Sequence, residues 1–135
     1  MVYTFPTLEE VLYFHEVQIA LYGGSPGVRD LGLVESALFG AQQTFDGIDL
    51  YPNLHEKAAA LWHGFVCNHA FVDGNKRIGL MVSHVFLLTN GYALEFTSQQ
   101  AEMITMRLAS SEMDRRELTT LIEGFIIPLR DQNRN

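Results

Sequence analysis

The chain has a single cysteine, Cys67, so an internal disulfide is impossible, and a reducing cytoplasm suits it. It is also short of positive charge. Nine Lys and Arg face sixteen Asp and Glu, for a formal net charge of −7. A generic binder of nucleic-acid backbone carries the opposite sign, so no direct nucleic-acid partner is expected, and any phosphate must be met by a few local cations. No uncharged apolar run approaches the roughly 20 residues that a bilayer span needs. The opening MVYTFPTLEE lacks the basic and then apolar regions of a signal peptide. Internal repeats, low-complexity segments and linkers are missing too. What remains is a globular balance, 47% apolar and 19% charged, in 135 residues. The expectation is one cytoplasmic domain over residues 1–135, long enough to close a hydrophobic core.

Helix-start signals divide that domain. Thr7 with Glu10 forms a capping box, because each side chain can satisfy an amide left free in the other's turn. It opens a helix from Leu8 to Tyr22, stopped by Gly23-Gly24. Asp30 caps a second helix that ends near Gly40. Thr44 to Tyr51 (TFDGIDLY) is less helical, and its Asp-Gly step between apolar residues predicts a short hairpin or flap. Asn53 with Glu56 opens a third helix, apolar nearly all round, which marks it as central and buried. A polar loop follows, and then a second apolar helix over Ile78 to Leu88, closed by Asn90-Gly91. Tyr92 to Phe96 suits a short extended piece. Thr97 with Gln100 and Asp114 with Glu117 cap two more helices, with Pro128 beyond the last. The fold class is therefore all-α: about six helices around a buried helical hairpin, with a short flap.

The loop between the two apolar helices is the unusual segment. His69-Ala70-Phe71-Val72-Asp73-Gly74-Asn75-Lys76-Arg77 holds an imidazole, a carboxylate, an amide and two cations where a plain connection needs one turn residue. Gly74 permits a backbone conformation closed to other residues. Asn75 can cap the next helix, whose first free amides and positive dipole end then make an anion site. Lys76 and Arg77 are unfavourable for that dipole, which suggests another reason for their presence. Arg77 can grip a phosphate through two parallel bonds and Lys76 can meet one as a point charge. Asp73 can hold Mg²⁺, which prefers one or two carboxylates together with substrate phosphates. His69 is placed to take a proton from an attacking hydroxyl. Such a set suits phosphoryl or nucleotidyl transfer, a reaction governed by positioning and charge neutralisation.

HAFVDGNKR resembles the Fic/Doc signature, written loosely His-x-Phe-x-Asp/Glu-Gly/Ala-Asn-Gly/Lys-Arg. Tyr22 to Asp30, Gly32 to Leu38 and Phe86 to Tyr92 resemble the Doc branch of that family, so the likeness runs over nearly the whole chain. It implies that His69 is the general base toward a target Ser or Thr and that Phe71 anchors the loop. Asp73 would then hold Mg²⁺, while Gly74, Asn75, Lys76 and Arg77 bind the phosphates of ATP. The flap would take the target segment by strand addition. Most Fic proteins transfer AMP and have Gly at the position of Lys76, with a second Arg at the position of Leu80. The Lys pattern with Leu80 resembles Doc toxins, in which a reversed nucleotide donates its γ-phosphate. The resemblance thus implies a protein kinase of a toxin–antitoxin pair, a threonine of elongation factor Tu as target, and a small antitoxin whose tail folds into a groove.

Other readings stand beside this one. AMP transfer is the first alternative, and Gly74 leans toward it. A non-catalytic module that only binds its partner is the second. His69 alone could be a helix-terminal cation. His63, Cys67 and His69 could ligate a metal, although no fourth ligand is in evidence and Cys67 suits a small buried hydrophobe. His15 and His84, on apolar helices, read as core or groove residues. Thr119 to Gly124 fits a degenerate self-inhibitory pattern, but an ordinary last helix explains it. Gly79, where relatives have Ala, reads as close packing.

Overall fold

The computed structural model describes residues 2–129. Six helices follow one another: α1 (Leu8–Tyr22), α2 (Leu31–Gly40), α3 (Leu54–Asn68), α4 (Asn75–Thr89), α5 (Ser98–Ala109) and α6 (Arg115–Phe125). Three of their starts are set by complete capping boxes, Thr7 with Glu10, Thr97 with Gln100 and Asp114 with Glu117. Asp30 caps α2 through the Leu33 amide. The start of α3 differs from expectation. Asn53 occupies the cap position, but its side-chain amide donates to Glu56 Oε1 rather than receiving a backbone amide.

The all-α bundle expected from sequence is what forms. α3 and α4 pack most extensively on each other and make the central hairpin, with α2 and α6 on the other flanks of α3 and α1 against α4. Every residue of α3 from Lys57 to Trp62 is buried, which is why the segment is apolar almost all round. Trp62 is fully enclosed, yet its indole N–H still donates to Thr105 Oγ1 of α5 at 3.1 Å. Gly79 of α4 lets the two helices of the hairpin approach closely. A Cβ there would lie 2.7 Å from Val66 Cγ2 and 3.0 Å from the Trp62 carbonyl.

Two small antiparallel ladders complete the fold. β1 (Thr44–Phe45) and β2 (Ile48–Asp49) form the expected flap, turned through Asp46 and Gly47, both at positive φ. Lys57, only 4% exposed, ties this flap to α3 by donating to Asp49 Oδ2 at 3.0 Å and to the Tyr51 carbonyl. β3 (Tyr92–Leu94) pairs with β4 (Ile126–Pro128), so Pro128 does not merely follow the last helix but ends a strand.

Candidate functional site

The junction of α3 and α4 is built to hold a loop still. α3 stops because His69 turns to the left-handed conformation, φ 52 and ψ 44, a strained setting for a residue with a Cβ. Ala70 and Phe71 then drop into the core, and Phe71 stacks on the His15 ring at 3.9 Å. α4 begins at Asn75, with Gly74 at φ 81 in the cap position. The expectation that Asn75 caps α4 is therefore overturned. Its side chain instead spans the loop, accepting from the Phe71 amide and donating to the Phe71 carbonyl, both at 3.0 Å.

A second segment, residues 23–30, clamps the first. The Arg29 and Asp30 amides donate to the Ala70 carbonyl, the Val72 amide donates to the Gly27 carbonyl, and Val28 bridges Phe71. Arg29 Nε donates to the His69 carbonyl at 2.6 Å and Nη2 reaches the Asn68 carbonyl at 3.4 Å. A cation there also suits the negative end of the α3 dipole. Ser25 donates its amide to Asp73 Oδ2 at 3.1 Å, and Arg77 Nη2 donates to the Gly23 carbonyl at 2.9 Å. Gly24, at φ 117, is needed for this closeness, since a Cβ there would lie 2.7 Å from Asp73 Oδ2.

His69, Asp73, Gly74, Asn75, Lys76 and Arg77 all line one groove of about 990 Å³. His69, Asp73 and Lys76 are exposed to it. Its far part is apolar, with Leu80 of α4, Leu94 of β3, Phe96 of the loop after it and Met106 of α5. The amides of Ser25 and Gly74 hold the Asp73 carboxyl below the usual carboxylate range, and the Arg77 guanidinium adds to this. Asp73 is thus ionised at neutral pH, with lone pairs to spare for a cation. Among the described residues no group of three or more His, Cys, Asp or Glu is placed to hold a metal. The zinc reading of His63, Cys67 and His69 accordingly has no support. A cation at Asp73 would take its other oxygens from substrate and water, which is the habit of Mg²⁺. Burial pushes the Cys67 thiol up and the His84 imidazole down, so both are neutral groups of the lining and core.

His15, Gly24 and Arg29 lie directly against the signature loop, contacts that the reading of the sequence did not assign. Tyr22 to Asp30 carried the likeness to Doc proteins, but only the folded chain brings that segment against His69 and Asp73. Glu123 of α6, part of the degenerate inhibitory pattern, pairs with His55 at 2.9 Å in the first turn of α3. His55 and His69 lie at opposite ends of that helix, about 20 Å apart at 1.5 Å per residue. Glu123 thus stands toward the end of α3 away from the signature loop. Among the described residues no helix is long and apolar enough to cross a membrane.

The sequence has known relatives. The model of the Fic/DOC family matches residues 5–87, which take in α1 to α3, the whole loop and all but the last two residues of α4. The chain is similar to Toxin Doc of Mycolicibacterium smegmatis, 39% identical over 106 residues, which cover 77% of this chain and 82% of the relative. It is also similar to Protein kinase doc of Escherichia phage P1, 32% identical over 105 residues, covering 78% of this chain and 82% of the relative. With its signature loop, its clamp and its helical frame, the chain belongs to the Fic/DOC family.

Proposed function

We propose that this protein is a Doc-type kinase, the toxin of a toxin–antitoxin pair, which moves the γ-phosphate of ATP to a Ser or Thr hydroxyl of a protein. The expected target is a threonine of elongation factor Tu in the cytoplasm, where its modification stops translation. One observation carries the reading: His69, Asp73, Lys76 and Arg77 converge on one groove mouth, while Leu80 stands in the groove where AMP-transferring relatives have a second Arg. Likeness to a phage protein named a kinase supports the same choice.

The roles follow from position. His69 accepts the proton of the attacking hydroxyl as its oxygen bonds to the γ-phosphorus. The bond between that phosphorus and the β–γ bridging oxygen breaks, and ADP leaves. Lys76 and Arg77, with the free amides at the start of α4, hold the phosphate oxygens. Mg²⁺, held by Asp73 and the nucleotide, would neutralise charge on the phosphates when bound. Asn75 keeps the loop in shape from behind. The flap, with Phe45 and Ile48 exposed on its two short strands, offers an edge to an extended target segment. The apolar far part of the groove suits the folded tail of a small antitoxin.

Purified protein is to be incubated with elongation factor Tu, Mg²⁺ and ATP, and intact masses read beside a His69→Ala control. A gain of one phosphate, absent from the control, is expected. A gain of one AMP would instead favour the transfer that Gly74 leans toward. An unmodified factor would refute the target, and toxicity kept by His69→Ala would mean a module that only binds.

A further inference from the structure

We infer that His15 is a positioning residue for the Asp73 carboxylate, acting through the peptide bond between Asp73 and Gly74. The inference rests on the reading of Asp73 as the Mg²⁺ ligand, and extends it to a residue of α1.

His15 lies on the inner face of α1 with 3% of its surface exposed. A leucine or phenylalanine would fill such a place without the cost of enclosing a polar ring. Among the described residues the imidazole has one hydrogen bond, from Nε2 to the Asp73 carbonyl at 2.7 Å. A carbonyl only accepts, so the proton is on Nε2. Among the described residues no other group hydrogen-bonds to the Asp73 main chain.

The other end of the same peptide plane is the Gly74 amide, which donates to Asp73 Oδ1 at 2.8 Å. His15 therefore grips one end of a rigid unit whose opposite end grips the carboxylate. Rotation of that peptide would free its carbonyl from His15 and withdraw its amide from Oδ1 together. Gly74 sits at φ 81, where a glycine turns easily, so the peptide has little intrinsic resistance to flipping. Phe71 stacks on the ring within 14° of parallel and fixes its plane. A Cβ on Gly74 would lie 3.5 Å from Nε2, so the ring also closes over the turn. Groups that orient a metal ligand from behind commonly change metal affinity by about 10- to 100-fold when removed.

Two substitutions separate the hydrogen bond from the stacking. His15→Phe keeps the ring and its volume but has no donor. His15→Gln loses the ring but can place an amide N–H near the position of Nε2. Two measurements apply: Mn²⁺ binding by electron paramagnetic resonance with a non-hydrolysable ATP analogue, and hydrogen exchange of the Gly74 amide by NMR without metal. In His15→Phe, Mn²⁺ affinity is expected to fall about tenfold and Gly74 exchange to quicken by a similar factor. His15→Gln should restore most of both. Equal losses in the two variants would make His15 a packing residue and overturn the inference, as would wild-type behaviour of His15→Phe. If His15→Phe does not fold, His15→Met supplies the variant without a donor. Should the wild-type protein bind no Mn²⁺, the reading of Asp73 fails, while Gly74 exchange still decides whether His15 holds the peptide.

Discussion

Replacing Gly79 with alanine should destabilise this protein even though alanine is the better helix former. In a helix open to solvent the change would gain about 1 kcal/mol. At Gly79 the new Cβ would sit 2.7 Å from Val66 Cγ2, 3.0 Å from the Trp62 carbonyl and 3.3 Å from the Val66 amide nitrogen. Comfortable carbon contacts begin near 3.5 Å. Val66 is β-branched and stiff in a helix, and the other two atoms belong to the backbone of α3. The helices of the central hairpin must therefore part by several tenths of an ångström. Forcing extra volume into a packed interface costs about 1–3 kcal/mol. Two of the three contacts are to backbone atoms that cannot rotate away, so the upper part of that range, about 2–3 kcal/mol, applies and outweighs the propensity gain. A net loss of about 1–2 kcal/mol should lower Tm by roughly 4–8 °C for a domain of this size. Gly124→Ala is the matching control, because that glycine is exposed near the end of α6 with no atom within 4 Å of its Cβ position. The same substitution there should raise Tm slightly. Calorimetry and urea titration check both. A Gly79→Ala protein as stable as wild type, or more so, would refute the argument. Since His69 and Asp73 sit where the parted helices join, the proposed transfer activity should fall even at temperatures where the variant is fully folded.

Gly24→Ala strains a residue at φ 117 and drives a methyl group into Asp73 Oδ2, so Mg²⁺–nucleotide affinity should fall more than about tenfold, measured by calorimetric titration. Lys57→Ala leaves Asp49 and the Tyr51 carbonyl without their buried partner. Asp49 retains 42% of its side-chain exposure, so the cost is discounted to about 1–3 kcal/mol, read by urea unfolding, and the flap should become the first site of limited proteolysis. Burial holds His63 and His84 below 6.5, with Arg115 adding to the effect at His63. The folded state then binds fewer protons than the unfolded one. Stability should be full above pH 6.5 and fall as pH drops through and below that value, and His84→Gln should flatten the fall in Tm between pH 7.5 and 5.

What the sequence made legible was whatever is written in neighbouring residues. Capping pairs three residues apart set the starts of α1, α5 and α6, and the Asp-Gly step announced the flap turn. Asn53 and Asn75 misled because an asparagine before a helix can use its amide in several ways. Asn53 turns to a side chain and Asn75 to the Phe71 backbone, and no local signal separates these from capping. β4 was missed because Ile126-Ile127-Pro128 is too short to have a period, and its partner β3 lies some thirty residues earlier. That His69, Asp73, Lys76 and Arg77 share one groove was readable, because they lie within nine neighbouring residues. The roles of His15, Gly24 and Arg29 were not, since each depends on a contact made only after distant segments meet.

Those meetings have a consequence for the birth of the protein. The bonds that set Asp73, Arg77 and the His69 carbonyl join residues 40 to 58 positions apart. A ribosome therefore releases His15 and the clamp of residues 23–30 well before the signature loop exists to receive them. When the loop does emerge, α4 must still follow before its amides point anywhere. Each such closure carries an entropic cost that local helices avoid, so the site should be among the last parts to become ordered. A nascent or half-folded copy would hold every signature residue and yet be inert. Activity would arrive in one step, with the finished molecule.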